Sequence, residues 1–447
     1  VLDRVKHIFF VGIGGIGMSG IAELLLNLGC RISGSDIKET AITRRLSQLG
    51  AKIYIGHNAS QISGVDVLVI SSIIGLDNPE VMAAKAQLIP VIPRAEMLAE
   101  LMRLKYGILI AGTHGKTTTT SMVATVLAHA GLDPTIVIGG RLNSLGSNAK
   151  LGAGKYIVAE ADESDGSFLK LSPTIAVVTT IDAEHLDHYG NLDNIKHDFL
   201  QFINKVPFYG TAILCLDQGN IQDLMPQVQK RCITYGLNTQ ADLMAEQVCF
   251  EGFKTRFKVS HRGQELGSIK LNIPGLHNVY NSLAAIGVGL DLGLTFSTIS
   301  SALEEFSGAD RRFQLIGQVG DIMIIDDYAH HPTEIKATLQ AAKRGWGRRT
   351  VVVFQPHRYT RTRDLREDFY TAFYQTDVLV ITDIYPASEK PIPGVSAQQI
   401  VDGVREHGHR NVVFIPRLED VIPYLLEVVR PQDMVLTLGA GSVGELA

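Results

Sequence analysis

Short apolar runs alternate with helix-length segments along the whole chain, and the alternation restarts twice. The first set holds HIFFVG, CRISGSD, KIYIG and VDVLVIS; the second opens with YGILIAG near residue 107 and continues through IVIGG, YIVAEAD and IAVVTTID. The third follows SGADRRF with GDIMIIDD, RTVVVFQP, DVLVITDI, NVVFIP and DMVLTLGAG. Strands that alternate with helices pair in parallel, because the helix carries the chain back to the edge it left. The pattern predicts an α/β protein of three domains, over residues 1–106, 107–308 and 309–447. Residues 241–273 depart from it, since polar and apolar residues alternate there around glycine turns. An antiparallel strand set attached to the central domain is expected. The chain stops at GAGSVGELA, in a glycine loop and its following helix, so a further tail is expected.

With 447 residues, 45% hydrophobic and 19% charged, each domain has enough apolar side chain for its own core. Net charge is −5 and the pI is near 6.3, so no broad basic surface points to nucleic acid. No run of about 18 apolar residues offers a membrane span, and the N-terminus lacks a charged head, apolar run and cleavage site. Cys30, Cys215, Cys232 and Cys249 lie far apart without a C-x-x-C pair and read as reduced structural thiols. A cytoplasmic protein with no nucleic-acid partner follows.

Two glycine clusters stand where a strand ends and a helix begins. In VGIGGIGMSG, Gly12, Gly14 and Gly17 occupy the glycine positions of a G-x-G-x-x-G turn, which lets the backbone approach a diphosphate at a helix N-terminus. Asp36, ending SGSD, stands where an acid would meet a ribose. These residues alone leave open a nicotinamide or flavin enzyme, another diphosphate ligand, or a tight turn. In GTHGKTTTT only Thr113 and His114 separate Gly112 from Gly115, two residues fewer than in the usual nucleotide loop. Its N–H groups still form an anion nest, Lys116 neutralises outer phosphates and the Thr117 hydroxyl can ligate Mg²⁺. The alternative is a threonine-rich helix cap.

Further polar clusters fall at strand ends. AEADESDGSF packs Glu160, Asp162, Glu163 and Asp165 together, either to hold a divalent cation or as a solvated acidic turn. In TTIDAEHLDHYG, His185 and His188 with Asp182 and Asp187 suggest a metal sphere, against simple loop polarity. Asn278 and Asn281 open a helix on one face, as a cap or as contacts to a base or phosphate. Arg358 and Arg361, three apart on an expected first helical turn, suit a carboxylate or phosphate clamp, or a solvated basic surface.

In this order, these stretches resemble the Mur ligase family. The resemblance runs through GIGGIGMSGIA, GSD, RAEML, GTHGKTTT, EADESD, EHLDHY, HNVYN, RRF, DDYAHHPTE and QPHRYTR, which is essentially the whole chain, and the short phosphate loop is the form that family uses. It implies ATP-dependent ligation of L-alanine to the lactyl carboxylate of UDP-N-acetylmuramate through an acyl phosphate, in peptidoglycan precursor synthesis. Joining a whole tripeptide to the same acceptor is the alternative within the family.

The same resemblance implies the parts. A Rossmann-like first domain would bind the UDP substrate, a central P-loop ATPase-type domain would bind ATP, and a Rossmann-like third domain would bind the amino acid and close over ATP. Gly14, Gly15, Ile16 and Gly17 would meet the diphosphate, with Asp36 and His57 near the uridine and Ser71 near the substrate. Gly112, Thr113, His114, Gly115, Lys116, Thr117 and Thr118 would hold ATP, joined by Asn278, Asn281, Arg312 and Asp327. Thr117, Glu160 and His185 would bind Mg²⁺, for which Mn²⁺ can substitute; Lys116, His114, Glu160 and His185 would be catalytic, His114 beside the muramoyl group. Tyr328, His330, Arg358 and Arg361 would form the L-alanine pocket. A monomer or homodimer is expected. Several relatives carry a carbamylated lysine; near Lys196 and Asp198 none is assigned.

Overall fold

The apolar runs become strands with few exposed side chains, as parallel strands must when helices cover both faces of the sheet. The computed structural model describes residues 5–71, 73–103, 105–142, 147–237, 240–387 and 389–447. They pack as two compact units, one of residues 1–244, 260–266 and 281–303, the other of 245–259, 267–280 and 304–447.

The first unit opens with a five-stranded sheet: β1 (His7–Val11), β2 (Arg31–Asp36), β3 (Lys52–Ile55), β4 (Val67–Ile70) and β5 (Val91–Pro93), in the order β3-β2-β1-β4-β5. All four pairings are parallel. Helices α1 (Ile16–Asn27), α2 (Ala41–Gln48) and α3 (Pro79–Ala86) connect β1 to β2, β2 to β3 and β4 to β5, a 3-10 turn at Ala59–Ile62 lies between β3 and β4, and α4 (Arg94–Met102) leads on from β5. Two of these helices are started by their own caps. Thr40 and Thr43 close a capping box on α2, and Asn78 accepts from the N–H groups of Glu80 and Val81 while Pro79 fills the first position of α3. Strand order reverses between β1 and β4, and a crevice at the C-terminal strand ends is the place such sheets bind ligands.

A second sheet in the same unit comprises β6 (Tyr106–Ala111), β7 (Thr135–Leu142), β8 (Ser147–Lys150), β9 (Tyr156–Glu160), β10 (Ile175–Val178), β11 (Thr211–Cys215) and β12 (Cys232–Gly236). Their order is β12-β11-β10-β6-β9-β7-β8, parallel throughout except for β8 against β7. Helix α5 (Lys116–His129) follows β6, so the phosphate-loop segment stands at a central strand end, as its sequence predicts.

Strands β13 (Leu243–Glu251), β14 (Lys254–His261) and β15 (Gln264–Leu271) extend this sheet to ten strands, with β13 parallel to β12, and are joined to one another by two-residue turns, which only antiparallel hairpins allow. Residues 245–259 and 267–280 pack with the second unit. Part of the reason is aromatic. Phe253, in the first of those turns, meets Trp346 edge-on at 4.7 Å and Phe313 at 6.3 Å.

The second unit also holds a six-stranded sheet of β16 (Gln314–Val319), β17 (Ile322–Asp327), β18 (Thr350–Phe354), β19 (Val378–Ile381), β20 (Val412–Phe414) and β21 (Met434–Leu438). The order is β16-β17-β21-β18-β19-β20, with an antiparallel β16–β17 hairpin and parallel pairs elsewhere. Ile325, Val352, Phe354, Leu379 and Leu436 are buried in its core, each worth about 1.5–3 kcal/mol by removal from water. Among the described residues, no helix is long and apolar enough to cross a membrane.

Candidate active site

Gly115 takes a left-handed backbone, φ +81°, at the N-cap of α5, and no side chain caps that helix. The first-turn N–H groups are thus directed at whatever anion sits in the loop. Gly112 is equally constrained: at φ +130° a Cβ would collide with Thr179. The loop is braced from β10: the His114 N–H donates to Thr180 Oγ1 at 2.9 Å and the Asp182 N–H to Thr113 Oγ1 at 2.9 Å. The His114 ring lies 3.4 Å from Asp182. Thr119 donates to Asn281 Oδ1 at 3.1 Å, which ties α5 to that asparagine. Thr117 is partly exposed at the loop, while Thr118 is buried.

Lys116 folds back over its own loop. Its Nζ donates to the Gly112 carbonyl at 2.7 Å and to both oxygens of Glu163, at 2.7 and 2.8 Å. Glu163 is buried, and desolvation pushes its carboxyl up to about 7; the Lys116 ammonium opposes that shift and Asp162 adds to it. Burial also works against the Lys116 ammonium, but Glu163 and Asp162 outweigh it and leave the pKa above the ordinary lysine value. The lysine therefore keeps its proton. Glu163 hydrogen-bonds the phosphate-loop lysine through both of its oxygens, a role that the sequence EADESDG does not distinguish.

Glu160 ends β9, and His185 stands after β10 with a left-handed backbone, φ +56°, immediately before the short helix Leu186–Tyr189. Because β9 and β10 flank β6, the donors Thr117, Glu160 and His185 come from three adjacent strand ends. A hydroxyl, a carboxylate and an imidazole suit Mg²⁺ or Mn²⁺, so the donor set fits the expected ion. His188 packs edge-on against Tyr189 at 4.7 Å, and the Asp187 side chain lies outside the described residues.

At the first glycine cluster α1 starts at Ile16, after Gly15, and again lacks a side-chain cap. The Gly14 N–H donates to Asp36 Oδ2 at 2.9 Å, so Asp36, expected beside a uridine, also braces this loop. Arg94, to which sequence reasoning gave no role, lies against Gly17: a Cβ there would be 3.1 Å from its Nη1. Its Nη2 donates to Asp162 at 3.2 Å. Ser71 and Arg94 line a cleft of about 130 Å³ with Ile74, Asp165 and Ser167. His57 is held between Ser35 and Glu80, with Nδ1 at 3.0 and 2.9 Å.

The remaining expected residues, apart from Asn281, lie in the second unit. Asp327 is buried and accepts from the N–H groups of Phe313 and Ala329, each at 2.8 Å, and from the Thr338 hydroxyl at 3.2 Å. It thus shapes the turn that carries Arg312. Burial pushes its carboxyl up to about 6 against the pull of Arg312, and burial with help from Arg312 drives His277 down to about 4. Asn278, in the first turn of the helix Leu276–Asp291, donates to the Pro274 carbonyl at 2.7 Å. The Arg312 guanidinium lies 5.2 Å from the Tyr328 ring centre.

His330 meets Tyr328 edge-on at 5.4 Å and His357 at 5.7 Å; His357 in turn contacts Arg361 Nη1 at 3.0 Å and stacks on Tyr385. His357 and Tyr385 are additions that no spacing in the sequence reveals. Arg358 is a correction: with φ +71° it precedes the helix Tyr359–Asp364 instead of sharing a turn with Arg361, because its N–H is drawn to the Tyr385 carbonyl at 2.9 Å.

Three family models match this chain in sequence order: the Mur ligase family catalytic domain over residues 7–106, the Mur ligase middle domain over 110–289 and the Mur ligase glutamate ligase domain over 311–441. The chain belongs to the Mur ligase family. As a Mur ligase it is an ATP-dependent ligase. A UDP-N-acetylmuramate–L-alanine ligase of Geotalea daltonii is 61% identical over 440 residues, which cover 98% of this Mur ligase and 96% of that protein. The crystal structure of a UDP-N-acetylmuramate–alanine ligase from Thermotoga maritima superposes with a TM-score of 0.83 at 31% identity, covering 99% and 97% of the two chains. A murein peptide ligase from Psychrobacter arcticus shares the fold at 24% identity, with a TM-score of 0.74 over 99% and 97%.

Proposed function

We propose that this Mur ligase joins L-alanine to the lactyl carboxylate of UDP-N-acetylmuramate, splitting ATP to ADP and phosphate, as a cytoplasmic step of peptidoglycan precursor synthesis. The observation that carries the reading is the 61% identity, over 98% of the chain, to a protein named for that acceptor and that amino acid. The geometry supports each part. The uncapped α1 and Gly14–Gly17 suit the diphosphate, the Ser71–Arg94 cleft suits the adjoining sugar, and the Lys116 loop suits ATP.

The lactyl carboxylate attacks the γ-phosphorus, the bond to the bridging oxygen breaks, and ADP leaves an acyl phosphate behind. The alanine amine attacks the acyl carbon, loses its proton, and the tetrahedral intermediate expels phosphate to give the amide. Two anions must meet in the first step, so charge compensation dominates the chemistry. Lys116 supplies it to the outer phosphates. Thr117, Glu160 and His185 would hold the divalent cation, which when bound adds positive charge to those phosphates. Arg361, fixed by His357 and backed by His330 and Tyr328, suits the amino acid's carboxylate, the main handle so small a substrate offers.

Phosphate release from ATP, Mg²⁺ and UDP-N-acetylmuramate with L-alanine, L-serine, glycine or the cell-wall tripeptide tests this. L-alanine should give the fastest turnover. Preference for the tripeptide would replace the reading with the recycling reaction, and no turnover with any of them by folded protein would refute both.

A further inference from the structure

Three side chains at the C-terminal edge of the first sheet form a closed polar triangle. Ser35, next to the end of β2, donates from Oγ to Glu80 Oε2 at 2.8 Å and lies 3.0 Å from His57 Nδ1, which is itself 2.9 Å from the same carboxylate oxygen. Glu80 is fully buried in the first turn of α3, and its Oε1 has no hydrogen-bond partner. The His57 side chain is 18% exposed. Burying a half-satisfied carboxylate is costly, and α3 already has Asn78 and Pro79 to start it. Starting α3 therefore does not account for this acid.

The local chemistry sets the proton on His57. Two acceptors do not face each other at 2.9 Å, so Nδ1 carries the hydrogen and donates to Glu80. In the neutral ring Nε2 then keeps its lone pair, and no described residue engages it. His57 follows β3 by two residues, and β1, β2 and β3 lie side by side. A nucleotide whose diphosphate sits on the glycine loop after β1 extends its nucleoside across the ends of β2 and β3.

We propose that Glu80 is a positioning residue that holds His57 as its Nδ1–H tautomer, so that Nε2 accepts the N3–H of uracil and disfavours cytosine, whose N3 is itself an acceptor. This rests on reading the glycine loop as a UDP site.

Titration calorimetry with UDP and CDP, steady-state kinetics, and ¹⁵N–¹H NMR of the histidines test it on the full chain. Wild type should bind UDP at least about tenfold more tightly than CDP, since a site built around one hydrogen bond rejects a partner of the wrong polarity. Glu80→Met, which removes the acceptor, should bring that ratio within about threefold and raise the KM for UDP-N-acetylmuramate about tenfold, while kcat and the KM for ATP stay within about twofold. Ser35 Oγ, 3.0 Å from Nδ1, is then free to donate to that nitrogen, which moves the His57 proton to Nε2. Ser35→Ala should shift the ratio the same way by less, and it carries the test if Glu80→Met fails to fold. Unchanged ratio, KM and tautomer in these variants would overturn the proposal with the UDP reading intact, as would a wild type that binds both nucleotides equally. A wild type that binds neither would defeat the UDP reading itself.

Discussion

The ammonium of Lys116 lies 2.7 Å from one oxygen of Glu163 and 2.8 Å from the other, so the phosphate-loop lysine is gripped by a buried carboxylate from the turn after β9. Phosphate oxygens must compete with that grip for the same donors. Lys116→Ala should lower kcat by on the order of 10²-fold or more in a phosphate-release assay, with circular dichroism unchanged. Retained turnover would remove the lysine from the reaction.

Glu163 also makes stability depend on pH. Its folded pKa, about 7, lies above the ordinary value of 4.5, so the native state holds this proton more tightly than the unfolded chain does. The contribution is complete below about pH 4.5 and is lost as pH rises through 7. Asp327, raised to about 6, acts with the same sign, so the comparison must be between variants. Melting temperatures from pH 5 to 8 should fall less steeply in Glu163→Gln than in wild type, and parallel curves would show that Glu163 does not titrate there.

Asp327 joins the Phe313 and Ala329 backbones to Thr338. Asp327→Ala leaves two buried N–H groups without their acceptor and should cost about 3 kcal/mol, read as a lower urea midpoint for the transition of the second unit. Thr338→Val removes one bond and should cost about 1 kcal/mol. Equal midpoints for Asp327→Ala and wild type would mean that the turn is held by other contacts.

At Gly115 a methyl group would sit 2.6 Å from Asn281 Oδ1, on a backbone that side chains rarely adopt. Gly115→Ala should therefore raise the KM for ATP about tenfold or more while UDP binding, at the other glycine loop, changes less than twofold. Equal losses at both sites would point to general unfolding instead.

The strands, their parallel pairing and the two strand–glycine–helix turns are legible in the sequence because each depends on neighbours within a few residues. Lys116 stands out for that reason, as do Gly12 and Gly112. Partner choice is another matter: in EADESD the acids look alike, yet Asp162 turns to Arg94 and Glu163 to Lys116, contacts spanning 68 and 47 residues. Glu80 and His357 are invisible for the same reason, since burial and approach come from other parts of the chain. Arg358 shows the converse, where a contact with Tyr385 overrides a helical spacing.

In the proposed reaction a carboxylate is activated by phosphoryl transfer before the amine arrives. UDP-N-acetylmuramate labelled with ¹⁸O in its lactyl carboxylate, incubated with ATP, Mg²⁺ and L-alanine, tests it by mass spectrometry of both products. One ¹⁸O should appear in the released phosphate and one remain in the new amide carbonyl. Amide formed while phosphate carries no label would contradict the mechanism, and phosphate released without amide would contradict the ligation itself.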